Sequence, residues 1–201
     1  MLNRRHLLLS AAMAAGLGGC APTYPVPTEG RTRTLINAAR AQGQRFVLYD
    51  GSYTPIAYPG GDIPPGRGAC TDVIIRAYRA LGVDLQRLVH EDMTAHFSVY
   101  PNLWGLTASD ANIDHRRVPN LARFFERFGE TLVLSRDATD YQPGDIITMH
   151  PQHIALISDR RVHGRADRLV IIQNRGLGVR EDVQDFVSWP LTGHFRYALA
   201  A

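Results

Sequence analysis

A glycine-rich, proline-punctuated loop runs straight into an amphipathic helix at Gly66-Arg67-Gly68-Ala69-Cys70-Thr71-Asp72, with a cysteine at the junction. Val73, Ile74, Ala77, Tyr78 and Leu81 recur at the spacing of one buried helix face. Cys70 therefore falls at the first helical turn, where unpaired backbone N–H groups and the positive end of the helix dipole favour a thiolate. Such positions bring cysteine pKa values down from ~8.5 to roughly 3.5–7.5. The expectation is an acidified thiol and a candidate nucleophile.

Any partner for that thiol must come from the rest of the chain. The sequence holds two cysteines, Cys20 and Cys70, and each has its own context, so a disulfide between them is not expected. Cys20 ends a leader. Met1-Leu2-Asn3-Arg4-Arg5 is a short basic start, and Leu7 to Leu17 is an apolar run too short to span a bilayer. Leu17-Gly18-Gly19-Cys20 resembles the bacterial lipobox, in which the cysteine is lipidated and becomes the mature N-terminus. Residues 1–19 then read as a lipoprotein signal peptide and Cys20 as a lipid anchor. Ala21, in place of Asp after the cysteine, implies an outer-membrane protein facing the periplasm. Residues 20–34, with Pro22, Pro25, Pro27 and Gly30, lack periodicity and read as a flexible tether. The folded domain is expected over 35–201.

The formal net charge is +3, with every basic residue an arginine and no block of like charges. Nucleic acid is therefore not expected as a partner. At 45% hydrophobic and 20% charged residues, the chain has matter for one good core and reads as a monomer.

Leu35 to Ala41 suggests a first helix stopping near Gly43, and Phe46 to Tyr49 a short strand. Asp50 to Gly68 is a long loop carrying Tyr53, Tyr58 and Asp62; loops of that length in a compact domain are usually functional. Val83 to His96 reads as a second helix. Its His90-Glu91-Asp92 and His96 invite a metal reading, but histidines six apart do not share a helix face, and neither a metal nor any other cofactor is expected. Leu121, Phe124, Phe125 and Phe128 mark another helix face. In front of it, Asp114, His115, Arg116 and Arg117 could line a groove for an acidic substrate or simply lead into the helix. Strands follow at Ile146–Met149, His153–Ile157 and Leu169–Asn174, with a closing strand in His194–Leu199. Helices first and antiparallel strands after give an α+β order.

Cysteine hydrolysis needs a thiol, a base that takes and returns its proton, and a polar group that fixes the base's tautomer. Cys70 at a helix start, His153 at a strand start and Asn174 or Gln173 at the end of the next strand supply those types in that order. Backbone N–H groups at the helix start, that of Cys70 among them, would meet the oxyanion.

The same residues carry a resemblance. Tyr58-Pro59-Gly60-Gly61, the glycine-rich run into Cys70, Pro143-Gly144-Asp145 and His153-Ile154-Ala155 resemble the NlpC-type branch of the papain-like cysteine peptidases. Asp50-Gly51-Ser52-Tyr53, Cys70-Thr71-Asp72-Val73, Val89-His90-Glu91-Asp92-Met93, Asn112-Ile113-Asp114-His115-Arg116 and Thr192-Gly193-His194-Phe195-Arg196-Tyr197 resemble, more closely, a bacterial family catalogued as domain of unknown function 1287. The resemblance spans Tyr49 to Tyr197. It implies a papain-like (NlpC-type) fold with the nucleophile helix packed on a small antiparallel sheet, and amide hydrolysis in cell-wall peptide stems. Carried onto this chain, it gives Cys70, His153 and Asn174 as catalytic and Tyr58, Asp72, Asp114, His115, Arg116 and Gln173 as substrate-contacting. Two positions depart from the pattern. Gln173-Asn174 stands where His-Asn is usual, so Asn174 is favoured as orienting amide with Gln173 as substitute. Asp72 stands one turn from the thiol, where it could steady the helix start or raise the thiol pKa by like charge. The changed Gln173 also motivates an alternative, an anchored wall-binding module without turnover.

Overall fold

The computed structural model describes residues 22–149, 152–185 and 190–200. The leader, the Cys20 anchor, His150 and Trp189 lie outside the described residues.

Strand β1 (Thr23–Pro25) is followed by helix α1 (Gly30–Ala41), then by β2 (Leu48–Tyr49) and β3 (Arg67–Gly68). Helices α2 (Cys70–Arg79), α3 (Leu85–Ala95) and α4 (Val118–Phe128) come next. Strands β4 (Glu130–Thr131), β5 (Ile146–Met149), β6 (His153–Ile157), β7 (Arg160–Val162), β8 (Arg168–Asn174), β9 (Val179–Asp185) and β10 (Leu191–Arg196) complete the order. This is the α+β architecture that the element order predicts. The main sheet runs β4-β10-β5-β6-β8-β9 with every neighbouring pair antiparallel.

The segment read as a free tether is structured. Thr23–Pro25 pairs with Arg160–Val162, and α1 begins at Gly30, five residues ahead of the apolar signal at Leu35. Three residues can pair with an edge strand without any periodicity of their own. The first turn of α1 carries no apolar face to betray it; Arg31 instead anchors to the Ala198 carbonyl at 2.8 Å.

The apolar runs of β5, β6 and β8 are continuous because both faces of these strands are covered. Ile146, Ile154, Leu156 and Ile172 face the core shared with all four helices. Ile147, Met149, Ala155, Ile157, Leu169 and Ile171 face a second cluster under Ala138 and Tyr141. Alternate residues of one strand serve opposite layers. Helix α2 is the central helix, buried from Cys70 to Ile75 and again at Ala77 and Tyr78. Leu121, Phe124 and Phe125 of α4 are buried as their spacing predicts, whereas Phe128 is half-exposed and packs on Phe124 at 4.9 Å.

Two polar devices hold the elements in place. Asp145 of the Pro143-Gly144-Asp145 turn is fully buried and accepts hydrogen bonds from the Gln142 amide and the Arg196 guanidinium, with His194 Nε2 at 3.0 Å. It ties the start of β5 to β10. Arg76 of α2 reaches back to both Asp62 oxygens at 2.9 and 3.0 Å and to the Ile63 and Arg67 carbonyls. The long loop is thus tied to the helix it feeds. Gln86 of α3 does the same from the other side, donating to the Ala57 and Ala111 carbonyls and accepting the Gly61 amide. Gly61 has no room for a side chain there, since a Cβ would lie 1.9 Å from the Ala57 carbonyl oxygen.

Candidate active site

Ala69 caps α2 in extended backbone, and Cys70 is its first helical residue. Asp72, three residues past the cap, turns back so that Oδ2 accepts the Ala69 amide at 2.6 Å. The same carboxylate takes Arg116 Nε at 2.9 Å and Nη2 at 3.0 Å. Both side chains are buried. Arg116 spends its other contacts on the Ser52 and Asp50 carbonyls, each at 2.8 Å. Asp72 and Arg116 are therefore a structural pair that closes the long loop over the helix start, not free substrate contacts.

The expectation of an acidified thiol does not hold. Cys70 is a free thiol only 2% exposed. Burial pushes it up, against hydrogen bonds from the Ile154 amide, the Tyr49 hydroxyl and the Thr71 amide. Asp72 adds a small further rise, its charge being met by Arg116. A helix terminus acidifies a sulfur that keeps its hydration; here α2 is packed on β6 and the Cys70 side chain is almost wholly buried.

His153 opens β6. The β6–β8 register, Leu156 opposite Ile172 and Ile157 opposite Ile171, brings it to the end of β8. There His153 Nε2 lies 2.7 Å from Gln173 Oε1. Successive side chains on a strand face opposite ways, so Gln173 and Asn174 cannot both meet the imidazole. Asn174 is the one turned away, which corrects the assignment favoured from sequence. Its Nδ2 donates to the Gly68 carbonyl at 2.7 Å, and its Oδ1 accepts the Gly176 amide. Burial lowers the His153 pKa, the Gln173 contact opposes, and Arg175 adds to the lowering. The resting imidazole is neutral. Its chain neighbour Ile154 presents its amide to the Cys70 sulfur, so the thiol reaches the start of β6, one residue along the chain from His153.

A cleft of about 340 Å³ opens over Cys70, lined among others by Tyr49, Tyr53, Trp104, Arg117 and Gln152. The Tyr49 hydroxyl lies 3.9 Å from the sulfur, and its phenol is pushed up to about 12, first by burial and then by the neighbouring thiol. It stays a hydrogen-bond donor through neutral pH. The Arg117 guanidinium sits 4.0 Å over the Trp104 ring, with Nη1 3.1 Å from Asp114 Oδ1.

The remaining expected contacts go elsewhere. Asp114 is fully buried, accepting the Asp110 amide as well as Arg117. His115 is buried beneath the loop, its pKa driven to about 3 by burial and by Arg116 and Arg79. Tyr58, at a cis peptide bond with Pro59, packs edge-on against His90 at 5.0 Å and does not line the cleft. His96 bonds to Asp92, four residues back. Arg116 lines the cleft with its donors already engaged. Tyr49, Trp104 and Gln152 were not singled out from sequence, whereas Arg117 belonged to the expected groove and does line the cleft. Tyr49 reaches the site only because β2 pairs with β3 just before Cys70, a pairing across the whole loop that leaves no local trace.

The family described as Domain of unknown function (DUF1287) matches residues 36–197. The protein described as Uncharacterized protein YijF of Escherichia coli (strain K12) is 43% identical over 185 residues, spanning 88% of each chain. Among solved structures, NlpC2 and NlpC1 from Trichomonas vaginalis align with TM-scores of 0.44 and 0.42 at 18% and 15% identity. Both alignments cover 86% of this chain, and the chain spans about half the length of those structures, 48% and 45%. With its match running through the helix start, the long loop and the sheet alike, the chain belongs to the DUF1287 family.

Proposed function

We propose that this chain is a cysteine amidase or endopeptidase acting on peptidoglycan stem peptides. The observation that carries the reading is the meeting of Cys70 with β6, where His153 is held by Gln173 at 2.7 Å. With thiol and imidazole both neutral at rest, the sulfur attacks the amide carbon as His153 takes its proton. The oxyanion that forms is met by backbone N–H groups at the α2 start and by the Tyr49 hydroxyl. Protonated His153 then returns the proton to the departing amine, leaving a thioester on Cys70. Water, deprotonated by His153, attacks the thioester, releasing the acid and the thiol. The cleft is the size of a small ligand site, which suits a short, exposed peptide stem better than a folded protein.

Reading Cys20 as a lipid anchor supports a site of action at the periplasmic face of the cell envelope, on the outer membrane. Incorporation of labelled palmitate that is lost in Cys20→Ala tests the anchor. Digestion of purified sacculi by the wild type, and by neither Cys70→Ala nor His153→Ala, tests the chemistry; equal digestion by all three overturns it. The burial of Cys70 favours a second reading, a wall-binding module without turnover. That reading predicts a wild type that sediments with sacculi and releases nothing.

A further inference from the structure

We propose that Asp182 is a positioning residue that fixes which nitrogen of His153 carries the proton, acting through the Gln173 side chain. The inference rests on the hydrolytic reading above. It starts from a chain of contacts in which each partner can play one role. A carboxylate only accepts. Gln173 Nε2 lies 3.2 Å from Asp182 Oδ2, so the amide must turn its nitrogen to Asp182 and its oxygen to His153. An amide oxygen also only accepts. The 2.7 Å contact therefore requires a hydrogen on His153 Nε2. In a neutral imidazole this leaves the lone pair on Nδ1, free to act as the base.

The amide by itself does not impose that order. Its oxygen and nitrogen are nearly alike in shape. Flipped, it would present its NH2 to Nε2, move the imidazole hydrogen to Nδ1 and remove the base. Asp182 breaks the symmetry, and the sheet puts it in place. Gln173 lies opposite Arg180 in the β8–β9 ladder, so Asp182, two residues on, shares its face as a diagonal neighbour. Seven consecutive residue pairs hold that register. Two cations lie nearby: Arg175, whose charge acts on both His153 and Asp182, and Arg180, which lines one depression with Gln173 and Asp182. The Cys70 sulfur on α2 takes the amide of Ile154, the residue that follows His153.

The test reads the tautomer directly, by long-range 1H–15N spectra of the histidine-labelled full chain, with His153 assigned by its loss in His153→Ala. The wild type is expected as the Nε2–H tautomer alone. Asp182→Asn is isosteric and can either donate or accept, so a mixture of tautomers is expected. Asp182→Lys can only donate, and the Nδ1–H tautomer should replace the wild-type form. Asp182→Glu should restore it. A single Nε2–H tautomer in both Asp182→Asn and Asp182→Lys overturns the proposal. Sacculus hydrolysis by Asp182→Asn should fall at saturating substrate with KM unchanged. If the wild type hydrolyses nothing while the tautomers move as expected, the hydrolytic reading fails and the positioning stands. If it hydrolyses and the tautomer ignores Asp182, the positioning alone fails.

Discussion

The Asp72 carboxylate grips the Arg116 guanidinium at 2.9 and 3.0 Å one turn into the helix that Cys70 opens. The pair does what neither residue does alone. Asp72 caps the helix start through the Ala69 amide, and Arg116 draws in the Asp50 and Ser52 carbonyls of the long loop. A buried ion pair adds little against an apolar substitute, but breaking it strands a charge and costs about 3–5 kcal/mol. Arg116→Ala should lose stability on that scale in urea titrations, with Arg116→Lys between it and wild type because the fork is gone. A loss below about 1 kcal/mol would mean that water replaces the pair.

The thiol itself gives a second expectation. Burial raises the Cys70 pKa and lowers that of His153, so the two favour the uncharged pair at rest. With Cys20→Ser leaving Cys70 as the one thiol, alkylation by iodoacetamide should climb only above the ordinary cysteine value of ~8.5. A plateau already reached near pH 6 would show an ion pair between sulfur and imidazole and refute the neutral resting state.

Gln173 and Asn174 should separate cleanly. Gln173→Ala removes the acceptor that holds His153 and is expected to slow sacculus hydrolysis at least tenfold with little change in the melting transition. Asn174→Ala takes a donor from the buried Gly68 carbonyl, and should lower stability by about 1–2 kcal/mol while the imidazole contact stays intact. Reversed effects would return the orienting role to Asn174.

These residues also show what a sequence can reveal. The helix from Cys70, the three apolar strands and the Cys-then-His order are written in local spacing, and the structure places them on adjoining elements. The choice between Gln173 and Asn174 is not local. It depends on which face of β8 meets β6, and strands buried on both faces have no polar alternation to disclose that. The thiol's environment was hidden for a related reason, because a helix N-terminus states the direction of the dipole and not the degree of desolvation. Asp114, His115 and Arg116 look like a polar surface in sequence. They are buried against the Asp50–Gly68 loop, and the partner that makes the Arg116 charge tolerable, Asp72, comes from a separate segment, while Asp114 takes the Asp110 amide and Arg117 from its own.

His115 supplies the clearest pH signature. It is 2% exposed, and burial together with Arg116 and Arg79 drives its pKa to about 3, against opposing influences from Asp62 and Asp110. In the unfolded chain the imidazole titrates near ~6.5. On acidification the unfolded state takes up the proton first, so stability is full above ~6.5 and drains away as the pH falls toward about 3. A gap of that size corresponds to roughly 5 kcal/mol across the window. His153, also lowered by burial, adds a share of the same sign. Urea unfolding at intervals between pH 7 and pH 4 should therefore show a falling midpoint. In His115→Leu the slope should shrink to the part contributed by His153 and the acidic groups, with stability at pH 7 changed much less. An undiminished slope in that variant would place the acid sensitivity elsewhere than at His115.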